Sequence, residues 1–315
     1  MSKEVTEMEK KILQILGKKA RESVEREHMD FRYLQEIRLR VGQPVIVLYK
    51  GREYILPTDS REKRRVGKEE IRETIEYISN YSLYAYENEL KQGFITVEGG
   101  HRVGMAGQVV MEAGKVKNIK YISSVNIRIS HEIEGCAGSL FPYIASGGQV
   151  CHTLIISPPR CGKTTILRDL IRQVSDGNEW IKGCTVGVVD ERSELGACYL
   201  GTAQNHLGMR TDILDCCPKA EGMLMLIRSM APQVIAVDEI GSGEDVHAIE
   251  YAMHCGCKMI ATVHGKSIEE IRKKPLFEQM VKERRFERYV VLDGRERVGE
   301  IEGIYDERGT VICRK

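Results

Sequence analysis

No stretch of this chain is long and apolar enough to span a bilayer. The first twenty residues lack the uninterrupted apolar core of a secretory signal. Charge of one sign is missing too: 47 basic residues face 46 acidic ones, a net charge of +1. No global field therefore gathers nucleic acid or anionic lipid. There are ten cysteines, but no Cys-x-x-Cys, which excludes the usual zinc frameworks and predicts reduced thiols in a reducing compartment. Aromatic residues make up 6% of the chain, and none interleave with its basic runs. Of the basic runs Arg61–Arg65 and Arg272–Lys274, the second neighbourhood is interrupted by Glu278, Glu283 and Glu287 and reads as a solvated helix face, and nucleic acid is disfavoured as a partner. Repeats and low-complexity tracts are absent. These absences predict a cytoplasmic protein with no direct membrane insertion, reaching membranes through partners.

What is present divides into two patterns. Residues 1–134 read as a mixed α+β domain. Met8, Ile12, Ile15 and Leu16 line one side of a charged helix over 1–20. Glu36–Arg40 and Val45–Tyr49 flank a turn at 42–44 and read as a hairpin. Lys68–Ser79 has helical spacing, and a further helix is predicted from Ser82 to Leu90 with Ser82 as N-cap. Phe94–Glu98 and Arg102–Val110 flank Gly99-Gly100 as a second hairpin, and Tyr121–Ile129 alternates like a strand. Residues 135–148 carry four glycines and read as a linker.

From 149 to 315 the pattern becomes α/β. Thr153–Ile156, Thr185–Val189, Gln233–Val237 and Lys258–Val263 are short and unalternating, as in a parallel sheet covered on both faces. Thr165–Val174, Lys219–Met230 and Gly243–His254 supply the helices, and the tail from Arg288 reads as strands closing the sheet's edge.

Between the first of those strands and its helix lies Ser157-Pro158-Pro159-Arg160-Cys161-Gly162-Lys163-Thr164-Thr165. This is the strand–loop–helix setting of a P-loop, whose backbone amides and helix N-terminus hold phosphates. Lys163 suits the β- and γ-phosphates, and the Thr164 hydroxyl suits a Mg²⁺ shell. Ser157 stands where the pattern has glycine. Val234–Val237 ends in Asp238-Glu239, a Walker B-like strand with Asp238 for Mg²⁺ and Glu239 for the attacking water. Val188–Val189 ends in Asp190-Glu191-Arg192, so Glu191 is a second candidate base; the residues alone do not choose between the two glutamates. Ile260–Val263 ends in His264, a candidate γ-phosphate sensor. In a parallel sheet these four strand ends share one edge.

In that order the motifs resemble the RecA-like ATPases of type II and type IV secretion and the pilus motors. With Glu36–Gly42, Ser124–Ile129 and Val189–Glu194, the chain resembles the stage III sporulation protein AA family from about Leu34 to Gly303. The resemblance implies a RecA-like P-loop core with a mostly parallel sheet, preceded by a smaller α+β domain. It implies a hexameric homo-oligomer that binds ATP and Mg²⁺ between protomers, works as a motor, and docks on the membrane proteins of a channel complex between mother cell and forespore. It also implies a trans-acting arginine finger, for which Arg128, Arg102 and Arg192 are the matching positions. A DNA-directed motor and a nucleotide-gated scaffold with little turnover are the alternatives.

Overall fold

The computed structural model describes residues 7–58, 63–80, 86, 89, 93–112, 114–293 and 299–314. They fall into two compact units that divide between His131 and Glu132. Of the helix predicted over 82–90, only Tyr86 and Glu89 lie within the described residues.

In the first unit the N-terminal helical pattern is split into α1 (Glu7–Gln14) and α2 (Lys18–Glu25). The break is at Gly17, whose amide donates to Thr74 Oγ1 at 2.9 Å. A Cβ there would lie 2.8 Å from the Glu70 carbonyl oxygen, so only glycine permits the approach. Glu70 and Thr74 belong to α3 (Lys68–Ile78). The strands are β1 (Leu34–Arg40), β2 (Ile46–Tyr49), β3 (Arg52–Ile55), β4 (Phe94–Val97), β5 (His101–Glu112) and β6 (Lys115–Arg128). They form one sheet in the order β3-β2-β1-β6-β5-β4, with every pairing antiparallel. Ile37, Leu39, Val103, Val125 and Ile127 alternate into the core with Ile12, Leu16 and Ile71. Arg38, Arg102 and Arg128 take the other face, where Arg102 and Arg128 are direct cross-strand partners.

The glycine-containing segment 135–148 lies near the start of the second unit, and it is not a free linker. Ala137, Leu140, Phe141 and Ile144 are fully buried, Phe141–Ile144 forming the short helix α4. Asp169 accepts from the amides of Gly135 and Ala137 at 3.0 and 2.8 Å. An apolar stripe at helical spacing outweighed the glycines. A two-strand ribbon follows, β7 (Ala145–Ser146) and β8 (Gln149–Val150).

The main sheet contains β9 (Thr153–Ser157), β10 (Val186–Asp190), β11 (Thr211–Asp215), β12 (Val234–Val237), β13 (Lys258–His264), β14 (Arg288–Asp293), β15 (Glu300–Asp306) and β16 (Val311–Arg314). Its order is β11-β10-β12-β13-β9-β14-β15-β16. Pairings from β11 to β14 are parallel, and β15 and β16 add antiparallel. The tail thus extends the edge, but its first strand pairs beside β9 and makes the strand before the phosphate loop an interior one.

Helices α5 (Lys163–Asp176), α6 (Lys219–Ser229), α7 (Gly243–His254), α8 (Ile268–Lys273) and α9 (Pro275–Lys282) cover the sheet. Alternate strand residues feed two cores: Leu154, Ile156, Ile235 and Val237 pack with α6 to α9, while Ile155, Val234 and Ala236 pack with α4 and α5. Burial on both faces explains why these strands read as continuous apolar runs. Among the described residues no helix is long and apolar enough to cross a membrane.

Candidate functional site

The parallel register sets the edge on which the site is built. Val189 pairs with Val237, Val237 with Ala261, and His264 with Ser157. Asp190, Asp238, His264 and Ser157 therefore emerge together at the C-terminal ends of four neighbouring strands. Ser157 is fully buried, and its hydroxyl donates to the Pro158 carbonyl at 2.9 Å. Pro158 and Pro159 carry no N–H, so the amides from Arg160 onward are the loop's donors. Arg160 (φ 63°) and Gly162 (φ 85°) bend the loop through the left-handed region, and Gly162 caps α5. Cys161 is tucked in, its thiol donating to the Pro159 carbonyl at 3.4 Å. Thr165 lies in the first turn of α5.

Lys163 opens that helix with its side chain only 6% exposed. Its Nζ lies 3.1 Å from Asp238 Oδ1 and 2.7 Å from Glu239 Oε1. Thr164 Oγ1 donates to Asp238 Oδ2 at 2.7 Å. Thr262, fully buried on β13, donates its hydroxyl to Asp238 Oδ1 and accepts the Glu239 amide at 2.9 Å. Glu239 has left-handed backbone (φ 56°) immediately after β12. Its Oε1 is 2.9 Å from His264 Nε2 and its Oε2 2.9 Å from Arg192 Nη1. Burial pushes the Glu239 carboxyl up, but the Lys163 hydrogen bond and charge, with His264 and Arg192, hold it below the ordinary glutamate value.

The β10 end behaves differently. Asp190 is buried and accepts the amides of Glu194, Leu195 and Gly196, each at 2.8 Å. Burial raises its pKa despite those bonds. Arg168 of α5 grips the same loop from outside through the Glu194 and Leu195 carbonyls at 2.7 and 3.0 Å. The loop so shaped carries Arg192 to Glu239. Glu191 instead pairs with Lys219 at the start of α6 and is 44% exposed.

Of the residues singled out in sequence, Lys163, Thr164, Arg192, Asp238, Glu239 and His264 meet in one cluster, and Glu191 is not among its contacts. Arg102 and Arg128 belong to the first unit. There Arg128 lies 3.6 Å from Glu36, and the Arg102 guanidinium sits 4.7 Å from the Phe94 ring centre. Sequence reasoning assigned no role to Thr262, Asp190 or Arg168. For Thr262 a signal existed, a polar residue inside an otherwise apolar strand. For Arg168 there was none.

A family model described as Sporulation stage III, protein AA, matches residues 6–312. The chain belongs to that family. It is 42% identical over 281 residues to the stage III sporulation protein AA of Bacillus subtilis (strain 168), covering 89% of each chain. Among solved structures it is similar to the ATPase DotB of Legionella pneumophila, with a TM-score of 0.56 and 15% identity over 84% of this chain and 73% of that one. It is also similar to the pilus retraction motor PilT, solved with bound ADP, with a TM-score of 0.55 and 16% identity over 89% of this chain and 77% of that one. At such identities the likeness establishes the fold. This member of the family has the RecA-like fold of secretion ATPases, as the motif order led us to expect.

Proposed function

We propose that this member of the sporulation stage III protein AA family is a secretion-type P-loop ATPase that hydrolyses Mg-ATP to drive a membrane complex of sporulation. One observation carries the reading: Lys163, Thr164, Asp238 and Glu239, from two distant segments, converge within hydrogen-bonding distance at the end of the phosphate-type loop. The donor chemistry fits Mg²⁺. A threonine hydroxyl and one carboxylate are hard oxygen ligands, and among the described residues no cluster of three His, Cys, Asp or Glu competes for the metal. Mg²⁺ characteristically keeps water and phosphate oxygens in its remaining positions. Bound Mg²⁺ would supply charge neutralisation at the β- and γ-phosphates.

The chain's own residues supply the rest. Lys163, held by two carboxylates, exchanges them for phosphate oxygens when nucleotide binds the loop amides. Its departure removes the charge that depresses Glu239, so this carboxylate becomes a better proton acceptor as the substrate arrives. Glu239 is the base that takes the proton of the attacking water. Arg192 and His264 hold its two oxygens and fix their direction. Arg192 acts on Glu239 within its own chain, which leaves Arg128 and Arg102 as the arginines for a neighbour's nucleotide. Glu191 serves a salt bridge. The working form is a hexamer on the cytoplasmic side, docked on membrane proteins of the complex; family resemblance supports this part of the reading.

The test is Lys163→Ala, assayed for nucleotide binding and phosphate release at concentrations where solution mass shows assembly. Turnover should vanish. An unchanged rate would remove Lys163 from the site.

A further inference from the structure

The β5–β6 hairpin is far longer than the sheet that carries it. β4 pairs with β5 only over His101–Gly104, and β1 pairs with β6 only over Ser124–Arg128. Beyond Ala106↔Ser124 the two strands run on as a ribbon with no third strand beside it among the described residues. At its base Gly107 opposes the extra residues of β6, and the register shifts. A Cβ on Gly107 would lie 2.8 Å from both the Ile122 Cα and the Lys120 carbonyl oxygen, so the crossing requires glycine. Tyr121 takes a φ of 47° at this bulge and is 82% exposed.

The register makes the ribbon amphipathic. Directly opposed residues share a face, and the pairs Val109↔Ile119 and Met111↔Val116 put four apolar side chains on one side. Gln108↔Lys120 and Val110↔Asn118 lie on the other. Near α3 the apolar face is covered, since Ile119 is buried and lines a cleft of about 520 Å³ with Ile71, Ile75 and Ile122. Further out it is bare: Val109 is 48%, Met111 57% and Val116 36% exposed. A two-stranded ribbon with one dry face is marginal in water and gains by burying it.

We propose that this ribbon lays its outer apolar face into the headgroup layer of an anionic bilayer, so that the chain contacts lipid directly and peripherally. Two observations favour lipid over a protein surface. Charge is the first: in sequence, residues 108–120 hold three lysines and one acid, Glu112, and Glu112 is paired with Lys117, which leaves the ribbon net positive, as suits anionic headgroups. Size is the second. Three exposed apolar side chains on a two-strand ribbon fall well short of the roughly 800 Å² per partner that a stable protein interface buries. Tyr121 at the base, with an apolar ring and a polar tip, belongs at the level where headgroups meet water. This inference does not depend on the ATPase reading, because none of these residues lies in the nucleotide cluster.

The test is flotation of the full chain with phosphatidylcholine vesicles, with and without phosphatidylglycerol. The wild type should float with the anionic vesicles and lose that binding at high salt. Met111→Asp and Val116→Asp should each weaken it at least about tenfold, and Lys120→Glu about fivefold or more. Nucleotide binding and the melting temperature should hold steady in all three. Failure of the wild type to float, or equal flotation of the variants, overturns the proposal. So does a change in solution mass on Met111→Asp without any lipid binding, which would assign the face to contacts between chains.

Discussion

Glu239→Gln and Glu191→Gln separate two acids that the sequence left equivalent. Glu239 lies 2.7 Å from Lys163 Nζ and 2.9 Å from both His264 Nε2 and Arg192 Nη1. Glu191 touches only Lys219 among the contacts described and is 44% exposed. Glutamine preserves shape and removes the carboxylate. At position 239 this deletes a proton acceptor in the cluster, and loss of a positioned general base costs about 10² to 10⁴ in rate, or about 3–5 kcal/mol of barrier. Nucleotide affinity should hold or rise, because Lys163 then has one carboxylate to leave instead of two. At position 191 the change breaks a partly exposed ion pair of the kind worth roughly 0–1 kcal/mol, so the rate should stay within about threefold. Single-turnover phosphate release at saturating Mg-ATP, beside equilibrium nucleotide binding, measures both. If Glu191→Gln lost the larger factor, the assignment of the base and the role given to Arg192 would both be wrong.

Three other outcomes are expected. Thr262→Val keeps the shape of a fully buried residue but strands the Glu239 amide and leaves Asp238 Oδ1 with Lys163 as its donor, costing about 1–3 kcal/mol in denaturant unfolding; a loss under about 0.5 kcal/mol would mean that water replaces the hydroxyl. Asp169→Ala removes the acceptor for Gly135, Ala137, Arg172 and Gln173 and should destabilise by about 3 kcal/mol, with new proteolytic cutting near 135–148; resistance equal to wild type would show that the segment's apolar packing suffices. Burial, helped by the charges of His131 and Lys11, lowers His101 from 6.5 to about 4. Between those values the unfolded chain binds a proton that the folded one does not, so stability falls as pH drops from 6.5 and levels off near 4, a change of about 3 kcal/mol. His101→Gln should be less sensitive over that window when unfolding is compared at both ends, and an unchanged pH dependence would acquit the histidine.

Whatever depended on neighbouring residues was legible in the sequence. Lys163 and Thr164 stand in one contiguous loop between an apolar strand and an amphipathic helix, and the Val and Ile runs announced β9, β10, β12 and β13 within a residue or two. The hairpins around 42–44 and Gly99-Gly100 were written in the same local terms. Tertiary structure decided what depends on register and burial. The pairing of β12 with β13 puts the Thr262 hydroxyl under Asp238 and Glu239, a contact across 24 positions of chain that no local pattern encodes. Asp190 folds its loop back through three amides, turning Arg192 toward Glu239 while Glu191 pairs with Lys219. Gly17 breaks a helix that periodicity would have continued, because the α3 backbone approaches too closely for a side chain. Residues 135–148 looked like a linker by composition, but four fully buried apolar side chains and one buried carboxylate hold them in the core. Composition and spacing report the cost of local conformations; which of two chemically equal side chains reaches a site is set by strand pairing many residues away.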